Sequence, residues 1–354
     1  MPATRWYATR EAVKAVLPLS GANLDQLIDQ YIEGATADTE KMLGRRFIPL
    51  TATKYYRWPT LRSSGGYILH LDDDLLALTT LKAKAQDASP VTIVAADYFL
   101  EPTNEGPPYS RIEIDLSSSA AFEAGATPQR SISVLGRWGY SEETKAAGAL
   151  AEADDGTETA LDVTDSSLIG VGDTILIVTE ALFVSAKSLK DTTANTAGAL
   201  TANKAVTTVP VNDGTLVKQY EVITIDSERM LVEVIAGNNL AVQRAYDGST
   251  LATHANPSDV YAPRTLTVVR AVNGTTAAAH DTATAISKYA PPADITEYCI
   301  AEAIAHHEQG RSGWTGQIGG GGRLGEGSGT VETKMFGLWA LRKALIEKYG
   351  RLTT

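Results

Sequence analysis

The sequence predicts an α+β fold: a helical core built from both ends of the chain, a small β region attached to it, and a large inserted all-β domain. Three observations carry this. Apolar residues recur with helical spacing near both ends, between Thr9 and Gly44 and again between Asp294 and Tyr349. From Phe47 to Trp138 the pattern changes to short runs of β-formers separated by turn formers. Between these parts, residues 141–290 hold an internal repeat. The chain has 354 residues, 44% apolar and 21% charged, enough for two or three domains with sizeable cores.

The elements follow in order. Thr9 caps a short helix through Leu17, and Pro18 prevents its continuation. Asn23 caps a longer helix, with Gln26 as capping-box partner and Gly44 as left-handed stop. Leu24, Leu27, Ile28, Tyr31, Ala35, Met42 and Leu43 form its buried face. Strands are expected at Thr53–Trp58, Tyr67–Leu71, Ala77–Ala83, Arg111–Leu116 and Ser131–Trp138. Ser63-Ser64-Gly65-Gly66 and Asp72-Asp73-Asp74 are among the turns between them. The triple Asp lacks the Gly and Glu of a calcium loop and is expected as an exposed turn. Asp294 caps a helix carrying Ile295, Cys299, Ile300 and Ile304, which Gly310 ends. A glycine-rich loop, 310–329, has 10 Gly in 20 residues. A last helix, Val331 to Tyr349, places Met335, Leu338, Trp339, Arg342, Leu345 and Ile346 along one stripe.

The central block is built from a duplicated module. NLAVQRAYDGSTLATH, 239–254, matches TLTVVRAVNGTTAAAH, 265–280. Separately, 159–184 matches 207–232, pairing Ile175 with Ile223, Glu180 with Glu228 and Leu182 with Met230. Only 207–261 holds a front and a back half in order. One copy is therefore expected to be nested in the other: an outer module of 159–185 plus 264–289, and an inner module of 207–261. Swapped modules, front with front and back with back, are the alternative pairing. Asp247-Gly248 and Asn273-Gly274 are turn dipeptides that accept positive φ. His254 and His280 have no second His or Cys at chelating spacing, so each is expected to tie down its own turn.

A single cysteine, Cys299, allows no internal disulfide or thiolate cluster and reads as a buried inert thiol. Gly320, Gly322 and Gly325 satisfy G-x-G-x-x-G but follow a helix rather than a strand. His306, His307 and Glu308 resemble a zincin fragment, yet Arg311 stands where the second His must fall. Neighbouring His306 and His307 also point about 100° apart on a helix, so they cannot share one ion well. No catalytic, cofactor or metal residue is assigned, and an enzyme is not expected. The net charge is −11, with 10 basic and 19 acidic residues in 141–290. No Lys/Arg cluster beyond Arg45-Arg46 could grip a nucleic acid backbone. No apolar run approaches the roughly 18 residues of a membrane span. Met1 to Arg10 contains no secretory stretch, so a cytosol-like compartment is expected.

The two ends together resemble the head–tail connector (adaptor) proteins of tailed bacteriophages. The residues that carry this are Leu24-Asp25-Gln26-Leu27-Ile28-Asp29, Leu43-Gly44-Arg45-Arg46-Phe47 and Thr51-Ala52-Thr53-Lys54-Tyr55-Tyr56. Asp97-Tyr98-Phe99-Leu100-Glu101-Pro102 and Val134-Leu135-Gly136-Arg137-Trp138-Gly139-Tyr140 continue the order, and Pro292-Ala293-Asp294-Ile295 completes it. In that family the last two motifs are almost adjacent; here the repeat block separates them, like an insertion into an adaptor core. The resemblance thus divides the chain into 1–140, an adaptor core of N-terminal helices and β region; 141–290, the insert; and 291–354, the C-terminal helices of that core.

This resemblance implies a structural virion protein at the neck, made in the host cytoplasm: a homo-oligomeric ring of twelve copies beneath the portal protein. The ring would extend the DNA channel, let DNA pass without specific binding, and join the head to the next neck, stopper or tail protein. No membrane or cofactor enters this reading. Met335, Leu338, Trp339, Arg342, Leu345 and Ile346, together with Trp314, are its expected contact residues, and the acidic insert would project outward. The alternatives are a β-repeat adhesin or glycan-binding decoration protein, or another phage neck or tail-completion protein. Against the adhesin, none of the five Trp residues lies in the insert.

Overall fold

A computed structural model describes residues 5–17, 19–59, 65–311 and 331–351. Pro18, Ser63, Ser64, Trp314 and the glycine-rich stretch beyond Arg311 lie outside the described residues. Four helices are present among them: α1 (Arg10–Val16), α2 (Asp25–Leu43), α3 (Ala293–Arg311) and α4 (Val331–Tyr349). The first strands are β1 (Leu50–Tyr56), β2 (Ile68–Ala83), β3 (Val91–Ile93), β4 (Tyr98–Glu101), β5 (Tyr109–Ile114) and β6 (Ile132–Trp138). They form an antiparallel sheet in the order β1-β6-β2-β5-β4, with β3 on β2.

The expected helical core with a small β region is not what forms. The protein is mostly β, with 37% strand against 23% helix, in two antiparallel sheets of six and ten strands. The reason lies in how each part buries apolar area. Leu69, Leu75, Leu81, Ile112, Ile132, Val134 and Trp138 alternate along their strands and close a core of their own. The helices, each apolar on one stripe, form a layer beside the sheets. Asp72-Asp73-Asp74 is not a turn either. It lies inside β2, whose pairing with β5 shifts between His70 and Leu75, and so joins two expected strands into one. Each charge is paired there: Asp72 accepts from Tyr56 (2.6 Å), Asp73 from Lys54 (2.7 Å) and buried Asp74 from Arg45 (3.1 Å).

The helix termini differ in detail from the expected ones. Thr9 Oγ1 accepts from the Ala12 amide, and Gly44 takes φ +62° as the stop of α2. Asn23 does not cap α2, which starts at Asp25 after an uncapped Leu24. Asp294 lies within the first turn of α3, and Lys348 and Tyr349 of α4 both donate to it (2.7 and 3.0 Å). An aromatic junction then locks the distant segments together. Phe47 meets Tyr7, Tyr140 and Tyr349 edge-on or tilted at 5.5–5.7 Å, and the Tyr7 hydroxyl donates to Glu40.

The second sheet contains β7 (Thr144–Ala149), β8 (Ala160–Asp162), β9 (Thr174–Ile177), β10 (Glu180–Asn195), β11 (Thr208–Pro210), β12 (Val222–Ile225), β13 (Glu228–Ala236), β14 (Asn239–Gln243), β15 (Asp259–Val269) and β16 (Ala285–Tyr289). Its ladders repeat at the sequence offsets of 48 and 26 residues. Leu161 pairs with Leu266 as Val209 pairs with Leu240, and Ile177 pairs with Ile286 as Ile225 pairs with Val260. Two separate apolar clusters follow the same division. One joins Leu161, Ile175 and Leu182 to Leu266, Val268 and Ile286; the other runs from Ala194 to Val260.

The inner copy therefore interrupts the hairpin between the first half of β10 and the second half of β15. Both strands run on from one core into the other. The chain beyond Lys187 is thus strand as far as Asn195. The block leaves and rejoins the rest of the chain at one place, where Thr144 pairs with Tyr289.

The outer module also packs against the helical layer. Trp6 meets Phe183 edge-on at 5.3 Å, and Val171, Ala181 and Val272 join Ile28, Ile32 and Ile295 in one apolar cluster. Gly172 makes the contact possible: its φ is +103°, and a Cβ there would stand 2.3 Å from the Trp6 ring. A Gly172→Ala variant is expected to lose roughly 2–3 kcal/mol through strain and overpacking. Thermal melting followed by tryptophan emission would read this; an unchanged midpoint would mean that the seat does not matter.

Candidate functional site

The residues that bear chemistry in the repeat form two copies of one buried cluster. In the inner module Arg244 donates to Glu228 through Nε (2.7 Å) and Nη2 (2.8 Å), both side chains being fully buried. His254 Nε2 meets the same carboxylate at 2.9 Å, and the Ala245 and Ala252 amides donate to it at 2.9 and 3.0 Å. The outer module repeats the arrangement. Arg270 donates to Glu180 (3.1 and 2.6 Å), His280 Nε2 lies at 3.0 Å, and the Ala271 and Ala278 amides supply the rest.

That Glu180 is bound by Arg270 and His280, and not by Arg244 and His254, fixes the nested pairing over the swapped one. The turns follow from the same bonds. Ala245 and Ala271 sit at φ +52° and +53°, conformations unfavourable for alanine, with their amides held on the glutamates. Each His thus reaches a carboxylate from the front half of its module. Burial raises the Glu228 carboxyl, but Arg244, then His254 and the two amides, more than reverse this and hold it at about 2. The same opposition leaves Glu180 lowered. With every carboxylate oxygen engaged by donors, these clusters are fastenings rather than reactive sites.

A third buried carboxylate joins the two modules. Glu221 accepts from Arg264 (2.8 and 2.6 Å) at the junction in β15, and from Ser166 of the outer module (3.0 and 2.9 Å). Beside it a cleft of about 1130 Å³ opens between α1 and the insert. Its cations are already matched: Lys14 with Asp25, Arg10 with Asp29, Lys187 with Glu11, Arg229 with Asp247, and Lys288 with Asp173. The cleft therefore offers an anion no surplus charge.

Cys299 is fully buried and touches Thr39 Oγ1 at 3.3 Å; burial pushes its thiol up to about 12. Burial, followed by the charge of Asp38, pushes the Glu302 carboxyl up to about 7.

The stripe expected on α4 divides into two faces. Leu345 and Tyr349 are buried in the shared apolar cluster, with Leu338 packed against it. Trp339 and Ile346, at i and i+7, face outward, 60% and 45% exposed, while exposed Arg342 lies between them and the buried side, where its charge acts on Tyr298 and Glu302 of α3. The Met335 side chain, like Trp314, lies outside the described residues. The end of α4 is firmly held, since the Arg351 amide donates to Leu43 and its guanidinium to the Leu71 carbonyl (2.7 Å). A fixed helix thus presents large apolar side chains to solvent in the isolated chain.

Compared with protein-family models, curated proteins and solved structures, the chain has no significant match. No helix among the described residues is long and apolar enough to cross a membrane.

Proposed function

We propose that this protein is a structural head–tail connector of a tailed bacteriophage, working as a ring of copies between the portal protein and the next neck or tail protein. The observation that carries the reading is the outward apolar face of α4. Trp339 and Ile346 stand on a helix whose adjoining face, through Leu345 and Tyr349, and C-terminal end are fixed, so binding there costs little ordering entropy. Such a face suits a permanent protein contact. The order of the sequence motifs supplies the identity of the assembly, and Phe47 and Tyr140, which those motifs contain, meet Tyr349 at the junction between helices and sheets.

The acidic balance agrees with the role. A conduit must let a polyanion slide, and clustered cations would hold it back. Reconstruction of the parent particle by cryo-electron microscopy, without symmetry imposed at the neck, tests the proposal. Twelve copies ringing the channel below the portal, with α4 against a neighbouring protein, are the expected result. Density on the capsid surface or at the tail tip would overturn it.

A further inference from the structure

We propose that Asp38, Glu302 and His306 form a binding site for a divalent transition-metal ion, Zn²⁺ by preference, which fastens α2 to α3. Glu302 and His306 are one turn apart on α3 and so share a face, and Asp38 comes from α2 packed against it. One donor atom from each of the three lies within 4.8 Å of the other two. Ligands at 2.0–2.2 Å from a tetrahedral ion stand about 3.4 Å from one another, so small side-chain rotations close the set. A helix pair that supplies Glu and His one turn apart, opposed by a carboxylate from the facing helix, is a common way to build a metal site inside a bundle.

A second observation is independent of this proximity. Glu302 is 93% buried by its 7% exposure, and its Oε2 has no hydrogen-bond partner. The Tyr298 hydroxyl and the charge of Arg342 act on the same carboxylate, yet Oε2 itself is left without a donor; buried carboxylate oxygens are almost always satisfied, and a cation beside Oε2 would complete it. Tyr31 stacks on His306 at 6.0 Å and 14°, which limits the rotation of the ring. One imidazole with two carboxylates suits zinc or manganese better than the harder magnesium or calcium ions. Three protein ligands would leave a position for water. His307 takes no part, because it projects about 100° away from His306 on the same helix; it lines a separate hollow with Leu19, Leu27 and Tyr31.

Calorimetric titration of the full chain with ZnCl₂, with MgCl₂ as control, tests the site. The expected result is one Zn²⁺ per chain, a raised melting temperature, and the visible spectrum of tetrahedral cobalt when Co²⁺ replaces it. Asp38→Asn and His306→Ala should each weaken binding roughly tenfold or more and abolish the cobalt spectrum. Asp38 is exposed, so the first variant keeps its fold even if the second does not. No binding by the wild type, or binding that Asp38→Asn leaves unchanged, would overturn the site.

Discussion

An Arg244→Met variant is expected to lose about 3–5 kcal/mol, because it leaves the Glu228 carboxylate buried without its main counter-charge. Both partners are fully buried, so water cannot replace the guanidinium. The variant also frees the carbonyls of Ala252 and Thr201, which Arg244 binds. The damage should stay local. The inner module has its own apolar cluster and interrupts only one hairpin of the outer module. Hydrogen exchange is therefore expected to lose protection across 190–263 while 144–185 remains protected. Removing both charges with Glu228→Gln and Arg244→Met together should recover part of the loss, since the heaviest penalty belongs to the orphaned charge. Uniform loss of protection across both modules would show that they fold as one unit.

The same cluster sets an acid limit. The unfolded glutamate titrates near 4.3, while Glu228 in the folded chain is held at about 2. A lowered carboxylate contributes stability fully above its unfolded value and loses it as pH falls toward its folded one. The inner module should therefore weaken between about pH 4.5 and 2, by on the order of 3 kcal/mol. Glu228→Gln should flatten that part of the profile.

How much of this was legible in the chain depends on the kind of contact. The nested modules were readable because repetition doubles the signal: Glu180 matches Glu228, and each R-A frame ends on its His. What repetition could not show was that these residues meet, since Glu180 and Arg270 lie 90 positions apart. The weight of β structure was misjudged for a physical reason. Asp72-Asp73-Asp74 has turn chemistry, and the Tyr56 hydroxyl, Lys54 and Arg45, with Arg351 close to Asp73 and Asp74, make it tolerable within a strand. Periodicity drew six residues of α4 as one stripe, but it could not say which of them the cluster around Phe47 would take, and that cluster takes Leu345 and Tyr349 with Leu338 against them. Asp38 and Glu302 carried no signal at all, being joined only by the packing of α2 on α3.

The division of α4 into an inner and an outer face makes the connector proposal testable without unfolding the protein. Removing the helix would be a poor experiment, since Leu345 and Tyr349 belong to the buried cluster and would be lost with it. Trp339→Glu combined with Ile346→Glu changes two largely exposed side chains and leaves Leu345 and Tyr349 in the buried cluster. Surface substitutions of this kind usually change stability by less than about 0.5 kcal/mol, so the melting temperature should hardly move. If that face docks on a partner, a buried tryptophan there is worth about 2 kcal/mol or more, and burying two carboxylates in an apolar contact costs further. The loss together corresponds to a thousandfold or greater drop in affinity, at roughly 1.4 kcal/mol for each factor of ten. Particles carrying the double variant should accumulate as filled heads without tails, and infectious yield should fall accordingly. Leu345→Ala is the matched control: it should cost roughly 2–4 kcal/mol of stability, and so lower the melting temperature, yet still join heads to tails at permissive temperature. Normal yield from the double variant would remove α4 from the contact, and with it the main support for a place at the neck.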